Sequence, residues 1–415
     1  MIQQNLMFQP LTLPNGRVIP NRIGKSAMAE NMAAYGQLPD EKFNTLYGRW
    51  AKGGAGLIIS GNVMVDDNGV STSGDVVLMK DTPLAPFKAW AQATKSQGAI
   101  FLMQINHPGR QAMAGLGKHT YAPSAIGIDL GKTSKLFVKP QAMNEEEIEA
   151  TIQRFAETAQ AAEQAGFDGV QVHAAHGYLI SQFLSPLSNQ RTDQWGGDIA
   201  NRARFLVEVI KRIRTLVSPE FIIAVKINSA DFQRGGFDED DVKVVIGYLN
   251  DLNVDLVELS GGTYESPTLF NGKTKDERTL AREAYFLEFA KKIRPLAKMP
   301  LMTTGGIRRF AVAKSVLDSG VDLVGIATAL ALNPNLPNLW KQGKLVDGEK
   351  LEINLKDKSL SALANLLVTQ RHLYRLGRGK AAGSKLNTYF SLFAQQWRSK
   401  KLTRQYKEWL SKGYK

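Results

Sequence analysis

The sequence predicts an α/β protein folded as a (β/α)8 TIM barrel, with a hairpin before the barrel and a basic helical extension after it. Eight short apolar segments of strand length, none alternating with polar residues, occur in the first 340 residues. Helical patterns lie between them, as parallel strands require. The rival architecture, a doubly wound sheet, usually carries a GxGxxG turn after an early strand, and the sequence has none.

The predicted elements begin with a small hairpin over 10–20, where Pro14, Asn15 and Gly16 form the turn. The eight buried strands of the barrel follow, and they are predicted over 22–28, 56–60, 100–104, 169–173, 222–227, 256–259, 301–304 and 323–327. A connection over 108–143, rich in Gly, Pro and Ser, is too long for a simple loop and is predicted to form a lid or rim.

The segments between the strands carry apolar residues at the 3.6-residue spacing of a helix. In the segment 144–164, Asn144 is the predicted N-cap, and three glutamates occupy the first turn. Ile148, Ile152 and Phe155 then share one face of this helix. The segments 198–217, 238–252 and 282–297 have the same pattern and are predicted to be helices.

The composition excludes several kinds of chemistry. The chain of 415 residues is 43% hydrophobic and 22% charged, which is typical of globular proteins. It has no cysteine, which excludes disulfides, thiolate zinc sites, iron–sulfur clusters and a cysteine nucleophile. Residues 1–16 lack the pattern of a signal peptide, and no stretch of about 18 apolar residues could span a bilayer. The expected location is the cytoplasm.

The net charge of +13 belongs almost entirely to the C-terminal region. Residues 341–415 contain 17 Lys and Arg against 5 Asp and Glu, a net of +12, whereas residues 1–340 contain 35 against 34. Because the barrel is nearly neutral, a nucleic-acid partner is not predicted. We expect two domains, a barrel over 1–345 and a basic helical extension over 346–415.

The extension ends in a predicted amphipathic basic helix. Tyr389, Phe393 and Trp397 are four residues apart, and the apolar stripe continues through Leu402, Tyr406, Trp409 and Leu410. We expect the stripe to pack on the barrel or on a second subunit, the latter giving a homo-oligomer. The alternative is docking on an anionic membrane surface, which would place the protein at the membrane periphery.

Polar residues at the C-terminal ends of the strands locate the candidate site, since barrels carry their active sites there. The end of the fourth strand brings His173, His176 and Tyr178 together. A metal site is disfavoured, because zinc would need further ligands and the chain has five histidines and no cysteine. Two imidazoles can polarise a carbonyl group and a phenol can donate a proton. The simpler alternative is a polar strand end with satisfied imidazoles.

A second candidate site follows the seventh strand. Thr304, Gly305 and Gly306 stand between this strand and a predicted helix. The glycines let backbone N–H groups approach an anion, and barrels commonly bind phosphate at this position. The alternative is a tight connection that binds nothing.

Five motifs together carry a resemblance to a known family. They are HAAHGYLISQFLSPLSNQRTDQWGGDIANR, NRIGKSAM, GGAGLIISGN, FLMQINHPGRQ and GVDLVGIATALALNPN, and they extend over about residues 5–340. The chain resembles the Old Yellow Enzyme family of FMN-dependent ene-reductases, and the resemblance implies a barrel with FMN at its mouth. The residues implied to hold FMN are Ser26, Ala27, Met28, Ala29, Asn62, Gln104, Lys226, Gly305, Gly306, Ala327 and Thr328.

The resemblance also implies roles for individual side chains. Gln104 would hydrogen-bond the flavin's pyrimidine edge, and Lys226 would supply positive charge there, where the family usually has arginine. NAD(P)H would reduce the flavin. His173 and His176 would hold the carbonyl oxygen of an α,β-unsaturated carbonyl substrate, hydride would pass from flavin N5 to its β-carbon, and Tyr178 would protonate its α-carbon. The alternative is a flavin-binding barrel with little turnover that acts at a membrane surface or on a partner through its basic tail.

Other positions depart from the family's pattern. Ala29 stands where family members commonly have a threonine or cysteine that tunes the flavin, and Glu30 and Asn31 beside it are expected to add polarity near the mouth. Thr328 stands where a phosphate-binding arginine is usual. We hypothesise that Arg308 or Arg309, directly after the glycine pair, supplies the missing cation, the alternative being that both are solvated residues at a helix start.

Overall fold

Eight parallel strands close into a barrel in the computed structural model, which describes residues 5–117, 120–266, 283–351, 353, 358–381 and 386–413. Each strand pairs with the next in chain order, and the last pairs with the first. The predicted (β/α)8 fold is therefore confirmed. The barrel strands are β3 (Ile23–Lys25), β4 (Leu57–Met64), β6 (Ile100–Asn106), β9 (Gly169–Ala174), β10 (Ile222–Asn228), β11 (Leu256–Ser260), β12 (Leu301–Thr303) and β13 (Leu323–Ile326).

Five shorter strands lie outside the barrel. They are β1 (Leu11–Thr12), β2 (Val18–Ile19), β5 (Val76–Val77), β7 (Tyr121–Ala122) and β8 (Gln141–Ala142). The α-helices of the described chain are α1 (Glu41–Lys52), α2 (Ala85–Lys95), α3 (Glu145–Gln164), α4 (Leu179–Leu184), α5 (Ile199–Leu216), α6 (Glu239–Asp251), α7 (Leu287–Ile293), α8 (Phe310–Asp318), α9 (Thr328–Leu332), α10 (Leu336–Lys341), α11 (Lys358–Gly377) and α12 (Thr388–Lys412).

The hairpin closes the N-terminal end of the barrel. The strands β1 and β2 pair in antiparallel fashion, as predicted. Their buried residues Leu11 and Ile19 pack with inward-facing apolar side chains near the starts of the barrel strands, such as Leu57, Leu102 and Ile222. Because this end is filled, a ligand has access to the interior only at the C-terminal ends of the strands.

The helix α3 begins as the sequence predicts. Asn144 accepts a hydrogen bond from the Glu147 backbone N–H at 2.8 Å, and the Glu147 side chain accepts one from the Asn144 backbone at 2.7 Å. This reciprocal pair is a capping box, which satisfies two backbone donors at the helix start.

The predicted helix over 282–297 is shorter in the structure. Its start at residue 282 lies outside the described residues, and α7 begins only at Leu287 because Ala284 has a left-handed φ of 56°. It ends at Ile293, two residues before Pro295, whose ring cannot continue a helix.

The two C-terminal helices pack on the outside of the barrel, α11 against α1 and α12 against α11. The apolar stripe of α12 is not continuous, contrary to the prediction. Leu402, Tyr406 and Trp409 are buried, whereas 67–72% of the Tyr389, Phe393 and Trp397 surface is exposed. The step from 397 to 402 is five residues, which turns the later residues by about 140° relative to the earlier ones.

Among the helices that the structure describes, none is both long and apolar enough to cross a membrane.

Candidate active site

The two predicted histidines and the predicted tyrosine meet at the end of β9. The ring centroid of His173 lies 5.1 Å from that of His176 and 4.8 Å from that of Tyr178. His176 adopts a left-handed φ of 60°, and its backbone N–H donates to Asn228 Oδ1 at 3.1 Å. This turn directs the chain back over the barrel and brings the second imidazole beside the first. The Nε2 atom of His176 lies 2.8 Å from Ser260 Oγ.

Both imidazoles are neutral at ordinary pH. Burial lowers the pKa of His173 well below its usual value, and the charge of Lys226 lowers it further. The same two causes, followed by His173 itself, lower the pKa of His176 well below its usual value. Nδ1 of His173 accepts a hydrogen bond from the Ala175 backbone at 3.3 Å, so the ring proton is on Nε2. His173 therefore retains one N–H donor for a ligand.

Tyr178 retains its proton. Burial raises the pKa of the Tyr178 hydroxyl well above its usual value, and the neighbouring Tyr264 raises it further. The two hydroxyl oxygens are 3.1 Å apart. Tyr178 also bonds with the side chain of Ser71, whose own Oγ donates to Asp75 at 2.7 Å. The phenol thus has a hydroxyl partner in Tyr264 that can replace a proton it gives away.

A chain of hydrogen bonds crosses the barrel interior beneath the histidines. Gln104 Nε2 donates to Gln171 Oε1 at 2.7 Å, and Gln171 Nε2 donates to Glu258 Oε2 at 2.8 Å. The other oxygen of Glu258 accepts from Lys226 Nζ at 3.0 Å. All four side chains are buried. This polar layer lies above the apolar layer that the hairpin closes.

A bulge in β4 brings Asn62 to the same face. Leu57 and Ile59 point into the barrel, and simple alternation would then turn Asn62 outward. The register with β6 shifts between Ile59 and Asn62, so that Asn62 pairs with Gln104. Bulges commonly redirect a side chain beside an active site. Asn62 is buried, and its Nδ2 lies 3.5 Å from Ser71 Oγ.

The segment after β3 reaches the mouth of the barrel. Ser26 is buried, and its Oγ lies 3.4 Å from Thr304 Oγ1, which connects this segment to β12. Ala27, Met28 and Ala29 follow and are half-buried. Glu30 does not add polarity near the mouth, contrary to expectation. It is buried against the barrel wall, where it accepts hydrogen bonds from Tyr47 and from the Gly61 backbone.

The ends of β12 and β13 form a backbone cradle. Gly305 and Gly306 have left-handed φ values of 115° and 72°, which other residues rarely adopt. Ala327 and Thr328 begin the short helix α9 next to them. The hypothesis that Arg308 or Arg309 supplies a phosphate cation is not supported, because both guanidinium groups pair with the buried carboxylate of Glu283.

The residues present fit FMN. Gln104 has an amide and Lys226 an ammonium group in a buried layer, and the pyrimidine edge of a flavin has both acceptors and a donor. Asn106 Oδ1, two residues after Gln104 on β6, is buried without a hydrogen-bond partner among the described residues. The glycine cradle can bring backbone N–H groups to a phosphate.

The sequence analysis did not identify several side chains of this site, among them Gln171, Glu258 and Tyr264. Gln171 lies two residues before the predicted His173, and Glu258 lies two residues before Ser260, which contacts His176, so each lies on the same face of its strand. Strict alternation could have found both. Tyr264 lies in the loop after β11, and no sequence pattern indicates that its hydroxyl meets that of Tyr178.

Comparison with known proteins gives consistent matches. A family model described as the NADH:flavin oxidoreductase / NADH oxidase family matches residues 6–346. The chain is 41% identical over 353 residues to an NADH-dependent flavin oxidoreductase of Neonectria sp. (strain DH2). That match takes in 79% of this chain but only 46% of the relative, so the chain spans about half of that protein's length.

Two solved structures have the same architecture. A complex of 2-naphthoyl-CoA reductase is similar with a TM-score of 0.75 and 27% identity, over 84% of this chain and 54% of that one. An old yellow enzyme homologue from Zymomonas mobilis is similar with a TM-score of 0.70 and 26% identity, over 82% of this chain and 94% of that one. The residues that the family model matches include all eight strands of the barrel.

Proposed function

The chain belongs to the NADH:flavin oxidoreductase / NADH oxidase family, and from that membership we propose that it reduces the activated C=C bond of α,β-unsaturated carbonyl compounds. The family binds FMN and takes reducing equivalents from NADH or NADPH. The observation that supports the substrate class is the group of two neutral imidazoles and one protonated phenol at the end of β9.

FMN, when bound, supplies the hydride that the C=C bond accepts. Gln104 and Lys226 would hold its pyrimidine edge, with Asn62 beside Gln104. Ser26, Ala27, Met28 and Ala29 would line its ring. The backbone of Gly305, Gly306, Ala327 and Thr328 would hold its phosphate. Lys226 keeps the positive charge of the usual arginine but has a single ammonium group in place of a planar fork.

His173 and His176 would hold the carbonyl oxygen of the substrate. A neutral imidazole can donate one N–H to this oxygen without bringing a full charge into a buried site. These donors withdraw electron density from the conjugated C=C bond, and they act on charge that develops during the reaction. The Lys226 ammonium nearby favours the neutral state of both rings.

Tyr178 would give its proton to the α-carbon. Its hydroxyl stays protonated because its pKa is raised, and Tyr264 and Ser71 contact the same oxygen. A general acid needs to hold its proton until the reacting carbon becomes basic. The phenol meets that requirement.

A two-step anaerobic titration tests the proposed function. NADPH or NADH is added to the FMN-loaded protein under anaerobic conditions, and bleaching of the flavin absorbance is expected. Cyclohex-2-enone is then added, and the absorbance is expected to recover as the enone is reduced. Bleaching without recovery, over a panel of enones, nitroalkenes and enoyl thioesters, would contradict the proposed substrate class.

The exposed aromatic residues of α12 favour a second proposal about partners. Because Tyr389, Phe393 and Trp397 are 67–72% exposed and cations lie nearby on the same helix, we propose that this part of α12 contacts an anionic membrane surface. Sedimentation with anionic vesicles tests this contact, and contact with a second subunit is the competing outcome.

A further inference from the structure

The two side chains proposed to hold the flavin's pyrimidine edge are joined through Glu258. Lys226 and Gln104 project from β10 and β6, which are not neighbouring strands. Glu258 from β11 contacts Lys226 directly at 3.0 Å and contacts Gln104 through Gln171. None of the Glu258 side-chain surface is exposed. One buried carboxylate therefore influences both groups.

The carboxylate dictates the orientation of both amides. An ionised carboxylate can only accept hydrogen bonds, so Gln171 must direct its Nε2 toward Glu258 and its Oε1 toward Gln104. Gln104 must then donate its own Nε2 to Gln171. Its remaining N–H and its Oε1 are left for a ligand. This orientation follows from the donor and acceptor roles alone.

The same carboxylate also offsets the positive charge of Lys226. The two side chains form an ion pair that is 5% and 0% exposed, so water screens it little. A free ammonium beside the pyrimidine edge would stabilise the negative charge that a flavin gains on reduction. An ammonium paired with a carboxylate stabilises that charge less, because the negative carboxylate repels the negatively charged flavin.

We propose that Glu258 is a positioning residue that lowers the reduction potential of the bound flavin through Lys226 and orients Gln104 through Gln171. The inference rests on the proposed assignment of Gln104 and Lys226 to the flavin. Glu258 itself touches neither flavin nor substrate in this proposal.

The first test is Glu258→Gln, which has nearly the same shape and removes one negative charge. The ratio of reduced to oxidised flavin at a fixed ambient potential is expected to rise about tenfold, which is about 30 mV for a two-electron couple. The potential is measured by dye equilibration at one pH for the wild type and the variant. FMN affinity is expected to fall, because an amide at 258 would donate to Gln171 and reverse both glutamines.

A charge-relocation variant separates the proposal from a merely structural role. The double variant combines Gln171→Glu with Glu258→Gln. Lys226 can then donate to the amide at position 258, and this amide can donate to the carboxylate at position 171. The carboxylate can also accept a hydrogen bond from Gln104. Every hydrogen bond of the series from Gln104 to Lys226 is kept, and the negative charge moves from β11 to β9. In this double variant we expect the ratio of reduced to oxidised flavin to return to within about threefold of the wild-type ratio, and we expect FMN affinity to be restored.

Asp255→Asn is the matched control. Asp255 is a buried carboxylate on the turn just before β11, paired with Arg214 at 2.7 Å at the opposite end of the barrel. Its loss removes the same charge far from the mouth, and the flavin potential is expected to stay unchanged. An equal shift in Asp255→Asn and Glu258→Gln would reduce the effect to net charge and overturn the proposal.

Two further results have distinct meanings. A Glu258→Gln protein that binds FMN with an unchanged potential would overturn the inference while leaving the proposed function intact. If Glu258→Gln does not fold, the double variant still tests the proposal. A ratio of reduced to oxidised flavin that differs from the wild-type ratio by more than about threefold would contradict it. A wild-type protein that binds no FMN would contradict the proposed function itself, and absorbance shows this before any potential is measured.

Discussion

At the scale of single residues, burial sets the protonation states on which the proposed chemistry depends. His107, at the start of the connection after β6, shows the effect outside the catalytic group. Burial lowers its pKa to about 4, although Asp66 acts in the opposite direction and Arg154 in the same one. Its Nδ1 accepts a hydrogen bond from the Gly109 backbone at 3.1 Å, a role that needs the unprotonated nitrogen. A second proton on this ring, which would make it an imidazolium, is therefore unfavourable in the folded state.

This shift predicts a loss of stability in acid. The unfolded chain protonates His107 near pH 6.5 and the folded chain only near pH 4, so its contribution is complete above pH 6.5 and lost as the pH falls toward 4. Between pH 7 and 4.5 we expect the wild type to lose about 2 kcal/mol more unfolding free energy than His107→Asn. Asparagine can still accept from Gly109 but does not titrate. Urea unfolding at both pH values measures the difference, and equal losses would contradict the prediction.

Tyr178→Phe tests the proposed proton donor. We expect the reduction of bound flavin by NAD(P)H to keep its rate, because that step needs no proton from Tyr178. Reoxidation by an enone should slow by about 10²- to 10⁴-fold. Because the pKa of Tyr178 is raised well above 10, the wild-type reoxidation rate should not fall between pH 6 and 9. Stopped-flow absorbance measures the two half-reactions separately, and a variant that slowed both equally would indicate a structural role.

Residue types at strand ends were predictable from sequence, but the contacts beneath them were not. His173, His176 and Tyr178 are next to each other in the chain, so their meeting follows from one strand and one turn. The series of hydrogen bonds from Gln104 to Lys226 joins four strands, and its geometry depends on the register of β6, β9, β10 and β11. Register between distant strands leaves no local pattern in the sequence.

At the scale of elements, the two halves of the helix α12 differ in burial, a difference that the sequence pattern did not predict. Its C-terminal half holds the segment that follows β4. Tyr406 donates its hydroxyl to the Asp67 backbone at 2.6 Å, and Thr403 Oγ1 lies 3.1 Å from Ser73 Oγ. Because this segment includes Ser71, which bonds with Tyr178, the helix supports the proposed proton donor from outside the barrel.

Trp409→Ala and Trp397→Ala form a matched pair for this support. Trp409 is 2% exposed and packs with Met64 and Val70, whereas Trp397 is 69% exposed. Trp409→Ala is expected to cost about 3–5 kcal/mol and to slow enone reoxidation, since the loop of Ser71 loses its backing. Trp397→Ala should change stability by less than about 0.5 kcal/mol. Thermal and urea unfolding with stopped-flow kinetics check both, and equal effects would show that α12 does not act on the loop.

At the scale of the whole molecule, the barrel was predictable because its pattern repeats. Each of the eight strands is buried on both faces, so each appears as an unbroken apolar run between helices, and no long-range contact is needed to recognise it. The extension has no such repeat. The helix α11 packs against α1, and α12 packs against α11. The buried and exposed apolar residues of α12 face different directions because of a single five-residue step between them.

Charge and aromatic side chains are distributed unevenly over the molecule. Residues 341–415 carry a net charge of +12, from 17 basic and 5 acidic residues, against +1 for the rest. Lys400, Lys401 and Arg404 are exposed on the same side of α12 as the exposed aromatic residues, one to two turns further along. A symmetric dimer through this face would bring these cations together, which disfavours a second copy. Aromatic rings beside cations match an anionic lipid interface.

Vesicle sedimentation decides between these partners for full-length protein. We expect binding to vesicles of phosphatidylcholine with phosphatidylserine, little binding to phosphatidylcholine alone, and weaker binding as salt screens the cations. Phe393→Ala with Trp397→Ala should lower the partition coefficient about tenfold or more, because two aromatic rings no longer enter the interface. Leu345→Ala, which removes an apolar side chain that is 55% exposed outside the aromatic face, should leave it unchanged. Equal binding to neutral and anionic vesicles would contradict the proposed anionic surface. A dimer in light scattering that the double variant abolishes would replace the membrane with a second subunit as the partner of this helix.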